Sequence, residues 1–427
     1  MKDRERTRSL AEREATIVSL DLGSQTIKAL MAVIEQDGGL TFIAGGEFPS
    51  AGIREGMVSA PEQANAALVA ALDTLERASG MRVMSAYVSV GGSRVRSYAA
   101  HAETKVTQPD QEISLREVEQ VVGAARTAQV GDGHSEQLHV IPRSYSIDGV
   151  GGIPNPVGMV GFELAVDACI VTAPLSVTQN LVRLLHDTET EPDDLIAGPL
   201  AANASVRDQA SSGLPCAVVD IGAQTTGVSI YADGAIARCD CLPLGGDAIT
   251  RQMAHKLRLP FDVAETLKRR YATCLPSDVT DDDLIEMNPV SGSDELLPAK
   301  VLAESAADGA QELALALRSQ LHQAQRQGLY PATLLLTGGG AELGGLDALL
   351  ASATQIPALV ARPEGIVGTP PPLSRPAFAV ATGLLLLGAR QRRRTMKRPV
   401  VKSAPLIGEL RRIFTGRGPG ADHAPHR

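Results

Sequence analysis

The sequence of 427 residues contains no tryptophan, and aromatic residues make up only 3% of it. Single-stranded nucleic acid is commonly held by stacking of bases on aromatic side chains, so no nucleic-acid partner is expected. The core must instead be built from Ala, Val, Leu and Ile, which the 44% hydrophobic content supplies. With 21% charged residues, this is the composition of an ordinary globular protein, long enough for about three compact units.

Cysteine is also scarce, and its spacing follows no metal or disulfide pattern. A redox or metal pair at Cys239 and Cys241 is an alternative, but there is no second pair and no nearby histidine. We interpret the thiols as inert ones of a protein in a reducing cytoplasm. The five residues are Cys169, Cys216, Cys239, Cys241 and Cys274.

Long hydrophobic runs are missing as well. The longest extends from Ala377 to Ala389, 13 residues, whereas a membrane-spanning helix needs about 20. We therefore predict a buried core helix there. Residues 1–14 are mostly charged or polar, unlike a secretory signal, and form a charged extension to which we assign no role.

The charge is divided unevenly along the chain. The formal net charge is −9, but residues 390–427 contain eleven basic and two acidic side chains, a net charge of +9. Residues 1–389 therefore carry −18. An acidic body argues against nucleic-acid binding, and a basic tail suits an anionic partner.

Two segments, 16–48 and 216–241, repeat one pattern: an apolar strand, an Asp-x-Gly turn with Ser or Thr, a returning strand, and a Gly-containing turn into a third strand. The predicted strands are Ala15–Leu20, Ile27–Ile34, Leu40–Phe48, Cys216–Val219, Thr225–Tyr231 and Ala235–Cys241.

The chemistry of these turns suits a nucleotide. Glycine permits close approach of the backbone to a phosphate, and a carboxylate at a strand end can hold Mg²⁺ through water. One such turn alone is more commonly a hairpin, but two in duplicated contexts predict facing walls of a cleft. The candidate residues are Asp21, Gly23, Ser24, Asp220, Gly222, Thr225 and Thr226, with Asp21 and Asp220 as the metal candidates.

Three further motifs are candidates for the same cleft. Gly338, Gly339 and Gly340 follow the apolar strand Leu334–Leu336, and a helix predicted at Ala341–Leu350 would point its N-terminus at phosphate or ribose. The alternative is a plain strand–helix turn. Gly245 and Gly246 precede a helix at Asp247–Leu257 and are candidates for the cleft; the alternative is that they only begin that helix. Glu265 and Lys268 share one helix face, where both could bind ribose or adenine. The alternative is a surface ion pair.

Residues 94–172 change in character and predict a compact α+β insert. A helix at Leu115–Ala128, capped by Ser114, precedes strands at Leu138–Ile147 and Glu163–Thr172, which a Gly- and Pro-rich loop, Gly149–Gly161, connects. Outside the insert, helices are predicted at Pro61–Ser79, Ser176–Asp187, Val263–Tyr271 and Ala299–Gln327, and a short strand at Tyr87–Val90.

The order of two phosphate turns and a glycine loop resembles the actin/Hsp70/sugar-kinase ATPase superfamily. Within it, the sequence resembles the bacterial cell division protein family FtsA over nearly its full length. The segments that carry this resemblance are Leu138–Pro142, Tyr145, Asp148–Gly149, Pro156–Gly161, Leu195–Ala201, Leu244–Thr250, Ala264–Lys268 and Leu336–Ala341. Pro156–Gly161 lies in the insert, which separates FtsA-like proteins from Hsp70 and the kinases.

The resemblance implies an α/β fold with two actin-like lobes, a small α+β insert subdomain and a C-terminal amphipathic helix. Lobe 1 would comprise 15–93 and 173–206, and the insert 94–172. Lobe 2 would have an inner subdomain, 207–250 with 334–389, and an outer subdomain, 251–333. A basic linker, 390–405, would lead to a membrane-targeting helix, 406–417.

The tail has the layout of a membrane anchor. Ile407, Leu410, Ile413 and Phe414 fall on one face of a helix, with Arg411 and Arg412 off that face. Such a helix suits anionic lipid, although two to three turns bind weakly and need the avidity of a filament. The alternative is a disordered basic tail.

The resemblance further implies ATP and Mg²⁺ as ligands, and FtsZ, other copies of the chain, anionic lipid and later divisome proteins as partners, at the cytoplasmic face of the membrane at the division site.

The second turn departs from the usual Gly-Gly-Gly-Thr-Thr-Asp of the family: Ala223 and Gln224 follow Gly222, and Gly227 replaces the Asp. We therefore expect nucleotide binding with at most slow hydrolysis, and no general base is evident. The alternatives are a type IV pilus assembly adaptor and a small-molecule kinase, which isotope transfer from ATP to metabolites would reveal.

Overall fold

The computed structural model describes residues 15–127, 133–210, 213–280, 282–287, 290 and 296–397. The predicted extension 1–14 and the predicted anchor residues Ile407, Leu410, Arg411, Arg412, Ile413 and Phe414 lie outside this range. Among the described residues, no helix is long and apolar enough to cross a membrane.

The strands of the described residues fall into three larger sheets and two hairpins. They are β1 (Thr16–Leu22), β2 (Thr26–Ile34), β3 (Leu40–Pro49), β4 (Ile53–Arg54), β5 (Met57–Val58), β6 (Ser85–Val90), β7 (Arg96–Lys105), β8 (Ser135–Ile147), β9 (Val150–Ile153), β10 (Glu163–Pro174), β11 (Glu191–Ala197), β12 (Cys216–Ile221), β13 (Thr226–Ala232), β14 (Ala235–Leu242), β15 (Leu284–Glu286), β16 (Leu296–Pro298), β17 (Thr333–Thr337) and β18 (Ala358–Val360).

The helices pack on these sheets, and two of them, α1 and α2, have end signals that the sequence provides. They are α1 (Pro61–Ser79), α2 (Leu115–Arg126), α3 (Leu175–Asp187), α4 (Gly198–Val206), α5 (Gly246–Leu257), α6 (Phe261–Tyr271), α7 (Ala299–Gln325), α8 (Leu346–Thr354) and α9 (Ala379–Lys397). α1 has Pro61 in its first turn and ends at Gly80 in the left-handed conformation. α2 begins with a capping box between Ser114 and Glu117.

Two of the sheets have the same topology, as the internal repeat predicts. The first has the order β11-β6-β1-β2-β3 and the second the order β14-β13-β12-β17-β18. In each sheet, the first three strands in chain order (β1–β3 and β12–β14) pair with one another in antiparallel fashion. The other two strands lie on the opposite side of β1 or β12 and run parallel to it. Asp21 pairs with Lys28 and Asp220 with Gly227. The two carboxylates therefore hold equivalent positions, each one residue before the strand ends.

The insert is a separate four-stranded sheet of order β7-β10-β8-β9, with α2 packed on it around Ile113, Val121 and Val166. Two of its strands were missed in the sequence. β7 has a run of small and polar residues, and β9 lies inside the segment Gly149–Gly161, so the prediction of a plain loop there is wrong.

The base of the insert is bonded to β14 of the second sheet. Asp240 Oδ1 accepts hydrogen bonds from Ser97 N–H at 2.7 Å and from Ser97 Oγ at 3.0 Å. Cys239 N–H donates to Ser97 Oγ and Cys241 N–H donates to the Val95 carbonyl oxygen. Asp240, only 2% exposed, is also paired with Arg238 at 2.5 Å. The beginning of β7 is thus held by a strand of lobe 2.

A hydrophobic cluster that joins the two sheets includes α4 and the first part of α9. The two helices approach so closely that a Cβ on Gly383 would lie 1.7 Å from the Ala201 carbonyl oxygen. Ala377 and Ala379 to Leu385 supply buried residues, as expected for a core helix. α9 continues to Lys397, so the first residues of the predicted linker 390–405 are helical.

Candidate functional site

A cavity of about 410 Å³ opens where the turns of the two duplicated sheets meet. Most of the residues singled out in the sequence line it: Asp21, Gly23, Ser24, Asp220, Gly222, Thr225, Gly246, Glu265, Lys268, Gly338, Gly339 and Gly340. Segments more than 300 residues apart in sequence therefore meet at one site. Thr226 and Gly245 lie directly behind its wall.

Asp21 is fixed at the end of β1 by its neighbours. Its Oδ1 accepts a hydrogen bond from Ser89 Oγ at 2.8 Å, and Lys28 Nζ lies 3.9 Å from its Oδ2. Burial raises the pKa of Asp21, and the Lys28 charge and the Ser89 hydrogen bond oppose that rise. The carboxylate is thus oriented, and its charge is only partly compensated.

Asp220 occupies the equivalent place in the second sheet. Burial, and then the negative charge of Asp21, raise its pKa to about 7. Two half-buried carboxylates that repel each other in the lining of one cavity form a donor set that fits a hydrated divalent cation, since a positive charge between them offsets both desolvation and repulsion. The residues present therefore fit the Mg²⁺ that the resemblance implies.

The glycine loop packs on the end of β12. Gly338 has φ +81°, and a Cβ there would lie 2.5 Å from Asp220 Oδ1. This position needs glycine for its backbone conformation and for its close approach to the carboxylate. The expected helix at Ala341–Leu350 is wrong: a 3₁₀ turn spans Gly339–Glu342, and α8 begins only at Leu346 because Gly345 adopts φ +71°.

Glu265 and Lys268 lie on one face of α6, as predicted, and pair with each other at 2.6 Å. Thr250 Oγ1 donates to Glu265 at 2.5 Å and accepts from Lys268 Nζ at 2.6 Å, and Lys268 also donates to the Gly246 carbonyl oxygen at 3.0 Å. Both side chains are largely buried. They form a neutral wall of the cavity that ties α6 to α5.

Thr226 and Gly245 shape the second turn from behind. Thr226 Oγ1 donates to the Leu244 carbonyl oxygen at 2.7 Å, and a Cβ on Gly245 would lie 2.5 Å from the Gly222 carbonyl oxygen. The N–H of Gly246 donates to that same oxygen at 2.9 Å. The start of α5 is therefore fastened to the turn.

Sequence reasoning missed an ion-pair bridge at the cavity. Arg375 binds Glu47 of β3 at 2.7 Å and Glu342 of the glycine loop at 3.1 Å, and its guanidinium lies over the Phe378 ring. All three charged residues line the cavity. Because Arg375 and Glu47 are 328 residues apart, no local pattern joins them.

The departures in the second turn also lie at the cavity. Ala223 and Gln224 line it, and a Cβ at Gly227 would lie 2.7 Å from Pro199 Cγ. A larger residue at 227 is therefore excluded by Pro199, which occupies the space beside β13.

His139 of β8 lies where the insert meets lobe 1. Its Nε2 accepts a hydrogen bond from the Ala197 N–H at 3.0 Å, directly before α4. Burial lowers the pKa of His139 to about 4, so the ring is neutral with its proton on Nδ1.

The cysteines are buried free thiols in the structure. Burial raises the pKa of Cys239 and of Cys241, which makes both poor nucleophiles. In the described part of the chain, no group of three or more His, Cys, Asp or Glu side chains has the arrangement of a metal site. The burial and the raised pKa of both thiols support the interpretation of Cys239 and Cys241 as inert.

Two family models match the chain. "Cell division protein FtsA" matches residues 217–383, and "SHS2 domain inserted in FTSA" matches residues 92–172. Together they cover more than half of the sequence. The chain belongs to the FtsA family of cell division proteins.

Curated FtsA proteins are similar in sequence to this chain over most of its length. The FtsA of Pseudomonas aeruginosa is 29% identical over 94% of this chain and 97% of its own length. The FtsA of Escherichia coli K12 is also 29% identical, over 87% of this chain and 90% of its own. The match therefore includes the insert as well as both lobes.

Solved structures show the fold. A PilM–PilN type IV pilus biogenesis complex has a chain with TM-score 0.62 and 20% identity, covering 87% of this chain and 98% of that one. MreB5 of Spiroplasma citri bound to ADP has TM-score 0.50 and 12% identity, covering 90% and 99%. At these identities the likeness shows the fold alone, a two-lobed actin-like one, and the family model at residues 92–172 adds the FtsA-type insert. The type IV pilus alternative therefore has no support beyond the shared fold.

Proposed function

We propose that this FtsA-family protein binds ATP with Mg²⁺ in the cavity between its lobes. The observation that carries the proposal is the pair of half-buried carboxylates, Asp21 and Asp220, at equivalent ends of two duplicated strands. The ADP-bound MreB5 structure, which has the same fold, supports a nucleotide as the ligand.

The chain's own residues define the roles. Asp21 and Asp220 would hold the cation through water, and Ser89 and Lys28 keep Asp21 in place. The bound Mg²⁺ would supply the positive charge that the phosphates and both carboxylates share. The backbone of the Gly23 and Gly222 turns would face the phosphates.

Binding, rather than rapid turnover, is the expected outcome. The second turn carries glycine at 227 beside Pro199, and neither residue can accept a proton from water. Gln224 is an amide and is no general base either. We propose that nucleotide acts on assembly through closure of the lobes, with hydrolysis slow or absent.

In cells, we propose that the protein forms filaments, anchors the FtsZ polymer to the cytoplasmic face of the membrane at the division site, and recruits later divisome components. Family membership supports this role. The tail supports the proposed anchoring to the membrane, because its net charge of +9 suits anionic lipid. Its apolar face would be provided by Ile407, Leu410, Ile413 and Phe414.

Isothermal titration with Mg²⁺–ATP tests the cavity. Wild type should bind, and Asp220→Asn should bind at least ten-fold more weakly when Mg²⁺ is present, because one of the two charges that hold the cation is gone. Asp73→Asn, an exposed acidic residue of α1, is the matched control and should bind as wild type does. Equal binding by Asp220→Asn and the control contradicts the proposal.

Sedimentation with vesicles of anionic phospholipid tests the anchor. Phe414→Glu should abolish pelleting, whereas Ala424→Glu, the same change of charge beyond the proposed helix, should retain most of it. In cells, a tagged protein should form a midcell ring that disperses when residues 406–427 are deleted. Unchanged pelleting of Phe414→Glu would rule out the anchor.

A further inference from the structure

Gln224 connects the two walls of the cavity. It lies in the second turn, after Gly222, and its Oε1 accepts a hydrogen bond from the Glu55 N–H at 2.8 Å. Glu55 belongs to lobe 1 and is separated from Gln224 by 169 residues. One side chain of lobe 2 thus reaches across the mouth of the cavity to a backbone amide of lobe 1.

The lobe 1 partner is the tight turn between β4 and β5. Glu55 has φ +48° and Gly56 has φ +76°, the backbone of a two-residue hairpin turn. A Cβ on Gly56 would lie 2.4 Å from the Gly92 N, so the turn rests against the chain that follows β6. Gly56 and Gly91 line the cavity beside it. The turn is therefore part of the cavity wall opposite Gln224.

The other neighbour of Gln224 is a carboxylate with one oxygen left unpartnered. Asp247, at the start of α5, is 7% exposed, and its Oδ1 has no hydrogen-bond partner among the described residues. Burial raises the pKa of Asp247, and a hydrogen bond from Gln224 lowers it. Gln224 therefore lies between a buried carboxylate of lobe 2 and a backbone amide of lobe 1.

We propose that Gln224 is a latch between the lobes that competes with the terminal phosphate of a bound nucleotide, and that it thereby lowers the affinity for the triphosphate relative to the diphosphate. This inference rests on the proposed nucleotide function. A phosphate that enters beyond the Gly222 turn must displace the amide from Glu55, and it brings negative charge towards Asp247. A shorter nucleotide leaves the latch in place.

The size of the effect follows from one partly exposed hydrogen bond. Its net contribution corresponds to a factor of about 2 to 10 in an equilibrium constant. Removal of the latch should therefore improve binding of the triphosphate by about that factor and leave the diphosphate unchanged. The released turn would couple the occupancy of the cavity to the β4–β5 hairpin.

Hydrogen exchange of the nucleotide-free protein tests the latch by itself. In Gln224→Ala, the amide of Glu55, followed by mass spectrometry in a peptide covering residues 53–58, should exchange about 2- to 10-fold faster than in wild type. Gln63→Ala changes an exposed glutamine of α1 and should leave this peptide unchanged. Equal exchange in wild type and Gln224→Ala overturns the latch.

Calorimetry with ADP and ATP, both with Mg²⁺, tests the competition. In Gln224→Ala, the ratio of the ATP and ADP dissociation constants should shift about 2- to 10-fold in favour of ATP. Gln224→Glu keeps an acceptor for Glu55 but adds a negative charge, so it should retain slow exchange at Glu55 and weaken ATP more than ADP. A ratio unchanged in both variants overturns the phosphate competition.

The outcomes separate the two proposals. If wild type binds neither nucleotide, the proposed function fails, and the exchange experiment still decides whether Gln224 holds the hairpin. If wild type binds nucleotide and addition of ATP leaves exchange at Glu55 as slow as in the nucleotide-free protein, the latch fails while the nucleotide site stands.

Discussion

Acidification should weaken the junction between the insert and lobe 1 through His139. The ring accepts a hydrogen bond from the Ala197 N–H and is neutral, with a pKa lowered by burial from 6.5 to about 4. As the pH falls, the unfolded chain takes up a proton at this residue before the folded protein does. Stability is therefore complete above pH 6.5 and is lost progressively between pH 6.5 and 4.

The magnitude follows from the two pKa values. Below both of them, the loss attributable to His139 reaches about 3.4 kcal/mol. Between pH 7 and pH 5 the same values give a loss of about 1.8 kcal/mol. Protonation also removes the acceptor of the Ala197 N–H, so the weakening begins where the chain enters α4.

Urea unfolding of the nucleotide-free protein at pH 7 and pH 5 measures this loss. His139→Gln retains an acceptor and does not titrate, so its free energy of unfolding should fall by about 1.8 kcal/mol less than that of wild type. His255→Gln, which changes an exposed histidine of α5, should follow wild type. An identical fall in wild type and His139→Gln would refute the reasoning.

Three further predictions concern the cavity, the helix crossing and the base of the insert. Asp220→Asn should raise the unfolding temperature at pH 8 without Mg²⁺. The pKa of Asp220 is about 7 in the folded protein against 3.8 in the unfolded chain, so wild type loses stability as the pH rises through 7, up to about 4.4 kcal/mol. No gain in unfolding temperature at pH 8 would contradict this. Gly383→Ala should lower the free energy of unfolding by about 3 kcal/mol or more, because its Cβ would meet the Ala201 carbonyl oxygen. The control Gly123→Ala, at an open position of α2, should raise the free energy of unfolding by about 0.5–1 kcal/mol. Urea unfolding measures both variants, and a Gly383→Ala protein as stable as wild type would disprove the close crossing. Ser97→Ala should speed hydrogen exchange in β7 about five-fold or more, because it removes the two bonds that the Ser97 hydroxyl makes to Asp240 and to the Cys239 N–H of β14. Unchanged exchange would show that these bonds do not hold the insert.

Local patterns predict the duplicated strands and α1 well. Apolar runs that end in Asp-x-Gly, or a helix bounded by Pro61 and Gly80, carry their own boundaries. β7, β9 and β11 were not recognised, because their place in a sheet is decided by their neighbours and not by an apolar run of their own. α8 was predicted five residues too early because the backbone at Gly345 breaks the helix before Leu346.

In the candidate site, too, the residues within a local motif were predictable and those brought together from separate segments were not. Residues inside the Asp-x-Gly and Gly-Gly-Gly motifs line the cavity because each motif fixes its own turn. Arg375, Glu47 and Glu342 could not be found, since three separate segments bring them together. The reach of Gln224 to Glu55 is invisible in sequence for the same reason, although its unusual place in the turn did mark it.

The bonds between the insert and β14 also protect the second sheet from unwanted association. β14 is an edge strand, and an open edge can add a strand from another molecule. Its N–H groups at Cys239 and Cys241 are already bonded to Ser97 and Val95, so this edge offers no free ladder there. Deletion of residues 94–172 to obtain the two lobes alone would open the edge, and light scattering should then detect association of a protein that kept both of its sheets.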